Sequence, residues 1–290
     1  PLLGINFDGW LSDSSGLAAT TIGSYRYLFL LKLPYLILDI IAAFILMSLF
    51  VKEEDKKKVF TLWLFNPFTI VLIYVFANID IIPVVLTLAS LYFFRKDRYL
   101  LSGSLIGLAS GFKTYPLLFL QFLLIKVNDS KNRLKILVST LGIFFMTILP
   151  FFSKSFYSLS FASGLTTRIF SSGISLGFGE AILPAVVSII VFFLYVLEKK
   201  QITLWKTYLG VLLLVFAFIH FHIQWLLWIA PFVIMVLIKS SKLKFITFLI
   251  TFSAFIIPLL YEDRSMSVSL LRTYSLWYDL VPIPFAIAQK

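Results

Sequence analysis

The stretch that decides the fold is YLLSGSLIGLASGFKTYPLLFLQFLLI, residues 99–125. It is apolar enough for a membrane-spanning helix, and it is longer than the ~20 residues that one straight span needs. Lys113 and Pro116 lie at its middle, where a charge and a missing backbone N–H disfavour a continuous helix. The sequence therefore predicts two short helices joined by a turn at this point.

The composition of the whole chain indicates a membrane protein. Of its 290 residues, 60% are hydrophobic and 13% are charged, whereas an average soluble domain is about 45–50% apolar and about 25% charged. Apolar runs of membrane length recur from Tyr27 to Leu260, which predicts an all-α, polytopic transmembrane helical bundle with several short or broken helices. This composition argues against a soluble domain, a disordered chain and a coiled coil. The chain has no cysteine, so thiol chemistry and Cys-ligated metals are excluded.

About ten membrane segments can be drawn if residues 99–125 form two of them. They are residues 27–50, 59–77, 79–94, 99–112, 114–126, 134–152, 181–197, 204–220, 223–238 and 244–260. We predict that residues 1–26 are the remnant of a first extracytoplasmic loop, that residues 27–260 form the transmembrane domain with an outer loop at 153–180, and that residues 261–290 are an extracytoplasmic tail. Because the chain begins at Pro1 rather than Met, we also expect a first helix upstream.

The basic residues test this topology. Most of the 25 Lys and Arg fall in five clusters, at residues 52–58, 95–98, 126–135, 199–206 and 239–244. Ten spans place all five clusters on one side, which the positive-inside rule makes cytoplasmic. A single span over residues 99–125 would split them between the two faces. The net charge of +11 is thus interpreted as a topology signal with attraction to anionic lipid, and no nucleic-acid partner is predicted.

The turns on the other side contain a different set of polar residues. Placing an ionisable group at the apolar boundary costs at least a few kcal/mol, so these groups predict a polar site that opens outward, just below the membrane surface. The groups at this boundary are Asp80, Lys113, His220 and His222, and the same outer turns also contain Asn78, Tyr115, Arg168 and Gln224.

Several of these residues also have a structural interpretation. Asp80 is able to cap a helix, Lys113 to snorkel to the interface, and Trp225 and Trp228, with Tyr115, to form an aromatic belt. The i, i+2 spacing of the two histidines directs their rings apart on a helix, so no metal site is predicted. Asp39 lies near the middle of the first span, where we expect hydrogen bonds to neighbouring helices.

Two runs of sequence carry a resemblance to a known family. LFNP at residues 64–67 leads to ANIDIIP at 77–83, and SGSLIGL at 102–108 leads to FKTYP at 112–116. In this order and spacing they resemble the GT-C superfamily of polyprenol-phosphate-sugar-dependent glycosyltransferases, and among these the prokaryotic mannosyltransferase-like members. The resemblance extends over residues 27–126 and, more loosely, over 220–232.

The resemblance implies a membrane hexosyltransferase, inverting if displacement is direct. Such an enzyme would move a hexose, with mannose as the first candidate, from a polyprenyl-phosphate donor to an acceptor glycan, lipid or protein. The transfer would take place on the outer face of a prokaryotic cell membrane. Asp80 is the best carboxylate here for taking the acceptor proton. The catalytic Asp of the family usually lies in the first outer loop, so Asp8, Asp13 or a residue upstream of Pro1 are the other candidates.

The remaining residues would take substrate-binding roles under this resemblance. Asn78 and Gln224 suit sugar hydroxyl groups. The charge of the leaving phosphate needs fixed cations or donors, and the available groups are Lys113, Arg168, His220 and His222. Beyond the lipid-linked donor no cofactor is implied with certainty, and a divalent metal stays open.

Three other functions stay open at this point. One is a purely structural membrane subunit, which the charges at the apolar boundary disfavour. A secondary transporter would show inverted repeats and broken helices at the membrane midplane, and neither pattern is visible in the sequence. A lipid-glycan flippase or polymerase would use the same lipid-phosphate chemistry, so the residues alone do not separate it from a transferase.

Overall fold

The computed structural model describes residues 22–75, 79–160, 173–199, 201–218, 222–240, 242–261, 277 and 280–282. These residues form twelve α-helices and one hairpin. The helices are α1 (Ile22–Ser48), α2 (Glu53–Leu64), α3 (Pro67–Ile70), α4 (Ile81–Phe94), α5 (Tyr99–Phe112), α6 (Leu117–Lys126), α7 (Ser130–Ile148), α8 (Lys154–Ser160), α9 (Pro184–Glu198), α10 (Leu204–Phe218), α11 (Leu226–Lys239) and α12 (Lys244–Tyr261). A π-helix over Val71–Val75 continues α3, and short 3₁₀ turns cover Leu149–Phe151 and Ile223–Trp225.

The membrane fold is confirmed, but the count of ten spans is not. Within the described residues, two helical stretches are long and apolar enough to cross a membrane, Phe29–Ser48 and Ser130–Phe151. A third is obtained if Glu53–Leu64 and Pro67–Val75, bent by 42° at their junction, count as one span. The other apolar helices have 10–17 residues, or about 15–25 Å at 1.5 Å per residue, which is less than a bilayer core.

The predicted break at the middle of residues 99–125 is confirmed. Helix α5 ends at Phe112 and α6 begins at Leu117, and Lys113 between them has an extended backbone with φ −148° and ψ 139°. Pro116 precedes the first residue of α6, a position where its missing N–H costs no helical hydrogen bond. The turn therefore brings Lys113 and Tyr115 to the end of the bundle where α4 begins.

The all-α prediction does not hold in the outer loop. Strands β1 (Ile174–Gly177) and β2 (Glu180–Ile182) form an antiparallel hairpin. The turn contains Gly177 at φ +92°, Phe178 at φ +53° and Gly179 at φ +83°. Glycine adopts such angles without steric cost, which is why a Gly-X-Gly run favours a tight hairpin here.

Helices α4, α5 and α7 pack closely through small residues. Gly103 and Gly107 lie one turn apart on the face of α5 that meets α7, and a Cβ on Gly103 would lie only 2.7 Å from the carbonyl oxygen of Ile136. The missing side chain lets Thr140 Oγ1 donate to the Gly103 carbonyl oxygen at 3.0 Å. Small residues and interhelical hydrogen bonds of this kind drive association where burial from water cannot.

Asp39 is buried between helices, as expected. Its Oδ1 accepts from Trp63 Nε1 at 2.6 Å, and its Oδ2 accepts from the Tyr74 hydroxyl at 2.7 Å. Lys32 Nζ in turn donates to the Tyr74 carbonyl oxygen. Helix α1 is therefore tied both to α2 and to the π-helix that leads towards Asp80.

We expect Trp63→Phe to lower the free energy of unfolding by about 1–3 kcal/mol, because it removes a donor from the buried Asp39 carboxylate. Equilibrium unfolding in detergent measures this change. Trp225→Phe is the matched control, since Trp225 donates to no carboxylate among the hydrogen bonds of the described residues. Equal losses in the two variants would contradict the assigned role of the Asp39–Trp63 bond.

The basic clusters and the polar candidate residues lie at opposite ends of the same helices. Helix α4 has Asp80 just before its first residue and Arg95 just after its last, and it is about 20 Å long at 1.5 Å per residue. Helices α6 and α11 run in the same sense and end at Lys126 and Lys239. The polar end and the basic end of these three helices are therefore separate in the structure, and their placement on opposite sides of a membrane stays a prediction.

Candidate functional site

Asp80 precedes α4, but its side chain does not cap the helix. Its backbone is αR, with φ −63° and ψ −10°, and its carboxylate makes no capping hydrogen bond. The side chain is fully buried, and Oδ2 accepts from Trp228 Nε1 at 2.9 Å while Oδ1 lies 3.3 Å from Lys113 Nζ. The carboxylate therefore joins α4, the turn after α5 and α11.

Lys113 balances the buried charge. A carboxylate away from water is costly unless it is paired and hydrogen-bonded, and Asp80 has both an ammonium and an indole N–H. The Lys113 side chain is 34% exposed, whereas that of Asp80 is 0% exposed. The ammonium thus lies between a buried anion and the exterior, so it does more than snorkel to the interface.

A stack of aromatic rings lies directly against this ion pair. Tyr115 and Trp228 stack with ring centroids 4.1 Å apart and planes 12° apart, and Trp225 and Trp228 stack with centroids 4.9 Å apart and planes 15° apart. His222 packs edge-on against Trp225 at 5.4 Å. Tyr115 and Trp228 are 7% and 6% exposed, so the aromatic-belt interpretation is wrong for these two rings.

The structure brings together part of the predicted site. Asp80 and Lys113 form an ion pair, Tyr115 joins them by stacking on Trp228, and His222 joins them through the stacked indoles. Gln224 lies half-buried in the 3₁₀ turn Ile223–Trp225, beside Trp225. The other predicted residues, Asn78, Arg168, His220, Asp8 and Asp13, lie outside the described residues.

Two features of the site bear on its chemistry. In the described part of the chain, no group of three or more His, Cys, Asp or Glu is arranged to hold a metal ion. The half-exposed cation is instead held by a buried carboxylate beside flat aromatic rings. A fixed ammonium suits a phosphate anion, and Trp225, which is only half-buried, offers an aromatic surface for the apolar face of a sugar ring.

Sequence reasoning missed Trp228 as the partner of Asp80. The two residues are 148 positions apart, and the sequence alone pairs Trp228 with the membrane interface. The available signal was chemical, because a buried tryptophan usually finds an acceptor for its N–H. Asp80 was the acceptor at the same predicted end of the bundle.

Comparison with known proteins gives one family and two curated relatives. Residues 14–171, just over half of the chain, match the family model described as GPI transamidase subunit PIG-U. Over 115 residues the chain is 30% identical to GPI mannosyltransferase 1 of Candida albicans, and over 91 residues it is 33% identical to GPI mannosyltransferase 1 of Saccharomyces cerevisiae. No solved structure matches the chain.

The matched regions are partial. They cover 38% and 30% of this chain, and 29% and 22% of the Candida and Saccharomyces proteins, so the similarity spans less than a third of either relative. The names of these relatives agree with the predicted membrane glycosyltransferase. Both relatives come from yeasts, and the comparisons therefore give no support to a prokaryotic cell membrane.

Proposed function

The chain belongs to the PIG-U family, and from its site and its relatives we propose that it acts as a membrane mannosyltransferase. The proposed donor is a polyprenyl-phosphate mannose, and the proposed acceptor is a glycolipid of the GPI type that the names of the yeast relatives indicate. The observation that carries this proposal is the Asp80–Lys113 pair, which holds an ammonium at the edge of a buried aromatic site.

Lys113 is proposed to bind the phosphate of the donor. When the bond between the sugar carbon and the phosphate oxygen breaks, negative charge develops on the leaving phosphate. A cation already held in place stabilises that charge without reorganisation. Asp80 supplies this fixed position, because its salt bridge and the bond from Trp228 define where the ammonium lies.

Asp80 is proposed to position Lys113 rather than to act as the base. Both of its oxygens face protein partners and its side chain has no exposed surface, whereas a general base must reach the proton that it takes. The acceptor hydroxyl would lose its proton to another carboxylate as it attacks the sugar carbon. Asp8, Asp13 or a residue upstream of Pro1 take this role in the proposal. Direct displacement then inverts the configuration of the sugar.

The polar residues around the rings are proposed to bind the sugar. Trp225 and Gln224 are half-buried. Each side chain is therefore packed against the protein on one side and accessible to a substrate on the other. His222 lies at the edge of Trp225 and is proposed to donate to a sugar hydroxyl or to the phosphate. Asn78, Arg168 and His220 are proposed to complete the site.

The family description favours a second candidate function. As a transamidase subunit, the protein would hold a GPI glycolipid without breaking a glycosidic bond. The same ammonium and aromatic surface would then bind the phosphate and sugars of the glycolipid, so the residues of the site are shared between the two functions. Only a measurement of mannose transfer distinguishes a mannosyltransferase from a transamidase subunit that holds the glycolipid.

We expect membranes that contain the full-length protein to transfer radiolabelled mannose from polyprenyl-phosphate mannose and to release polyprenyl phosphate. Polyprenyl-phosphate glucose, tested in parallel, defines the sugar. Lys113→Ala should reduce the rate by about 10²–10³-fold, as does the loss of one fixed donor at a developing oxyanion. Lys96→Ala, a change of the same kind at the opposite end of α4, serves as the control and should leave the rate unchanged.

Two outcomes would contradict the proposed transferase. Full activity of Lys113→Ala would remove the assigned role of the ammonium. No transfer by the unmodified protein, together with co-purification with a transamidase, would replace the transferase by the second candidate function.

A further inference from the structure

A cavity of about 440 Å³ lies at the basic end of the bundle, opposite to the Asp80–Lys113 site. It forms where α4, α6 and α11 end and where α10 begins. Three cationic side chains from three different elements line it, namely Arg95, Lys126 and Lys239. None of the described residues that line the cavity is acidic.

The walls combine these cations with an apolar floor. Leu49, Leu91 and Met235 are buried beneath the cavity. Lys239 Nζ lies 5.1 Å from the ring centre of Phe50 and 5.7 Å from that of Trp205. Ring faces attract and orient an ammonium, so these contacts hold the Lys239 side chain at the wall of the cavity.

The charges around Lys239 are only partly balanced. Arg95 and Lys206 repel its ammonium, and Asp55 attracts it. The carbonyl ends of α4, α6 and α11 also carry partial negative charge that favours nearby cations. The helix ends explain why single basic residues lie here. Arg95, Lys126 and Lys239 line one cavity that is open to the outside, since Arg95 and Lys239 are exposed. An anion bound there would reduce the repulsion between the three cations.

We propose that this cavity binds a phosphate group, supplied by the headgroup of an anionic phospholipid or by a soluble phosphate ester. The apolar floor beside the cations gives room for the glycerol and first methylenes of a lipid, while the cations contact the phosphate. The site is separate from the one proposed for the sugar donor, and it does not depend on the transferase function.

The test uses the full-length protein in phosphatidylcholine nanodiscs, with binding measured by titration calorimetry. Three probes separate the sources: dioctanoyl phosphatidic acid, glycerol 3-phosphate and inorganic phosphate. Lys126→Gln and Lys239→Gln should each weaken binding of the phosphate probe about fivefold, the effect of one basic residue on an anionic lipid. Lys96→Gln, an exposed lysine at the same end that does not line the cavity, should leave binding unchanged.

Each outcome decides the proposal. Tight binding of phosphatidic acid alone supports a lipid headgroup, and binding of glycerol 3-phosphate or phosphate as well supports a soluble ester. Absence of binding by all three probes, or equal weakening by Lys96→Gln and Lys239→Gln, would overturn the cavity site and leave the cations as partners of the helix ends. Lys113→Ala should bind the phosphate probe normally, which keeps this test independent of mannose transfer.

Discussion

We expect Lys113→Met to lower the free energy of unfolding by about 3 kcal/mol, because it leaves the buried Asp80 carboxylate without its counter-charge. Trp228 still donates one hydrogen bond, but the ammonium that pairs with Asp80 is then missing. Equilibrium unfolding in detergent measures the loss. Lys56→Met is the matched control, since Lys56 pairs with the exposed Glu53, and exposed pairs contribute little.

A double variant separates folding from chemistry. Asp80→Asn combined with Lys113→Met removes both charges and keeps an acceptor for the Trp228 N–H. We expect it to recover most of the lost stability, since neutral groups at this position need no counter-charge. Mannose transfer should remain lost, because the proposed phosphate ligand is absent. Recovery of transfer in the double variant would show that Lys113 serves the fold alone.

We expect Gly107→Val to have the second large effect, lowering the free energy of unfolding by about 3 kcal/mol. A Cβ at this position would meet the backbone carbonyl of Thr140 and would lie 3.1 Å from the Cβ of Ile143, so α5 and α7 must separate. Overpacking of a tight interface costs about 1–3 kcal/mol and occasionally more. The same unfolding measurement applies.

Gly142→Val is the control for this packing prediction. Gly142 lies on α7 itself, and a Cβ there meets no atom within 4 Å. The substitution has the same chemistry and a similar effect on helix propensity, but it should leave the interface intact. A loss in Gly142→Val as large as that in Gly107→Val would mean that helix propensity, rather than contact between α5 and α7, determines the stability.

Features fixed by local chemistry were predictable from the sequence. The break between α5 and α6 follows from Lys113 and Pro116, and the presence of hydrogen bonds between Asp39 and neighbouring helices follows from the cost of a buried charge. The separation of basic and polar ends followed from the distribution of charge along the chain. Each of these inferences needs only a short stretch of sequence or a general rule.

Features that depend on packing between distant segments were not predictable. The bond between Asp80 and Trp228, and the stacking of Trp228 on Tyr115, require two particular helices to lie side by side. Helix length also escaped prediction, because an apolar run does not reveal where a helix bends or stops. The hairpin turn at Phe178 was missed because its neighbouring strands are too short to give an alternating pattern.

The central claim is that the Asp80–Lys113 site and the basic clusters face opposite sides of the membrane. Its most direct test is labelling of single cysteines, in an otherwise cysteine-free background, with a membrane-impermeant maleimide in sealed vesicles. Ile79→Cys lies beside Asp80 and is half-exposed, and Lys96→Cys lies at the basic end of the same helix. We predict that only one of these two cysteines reacts in intact vesicles, and that the second reacts only after the vesicles are permeabilised. Reaction of both from the same side would contradict the account.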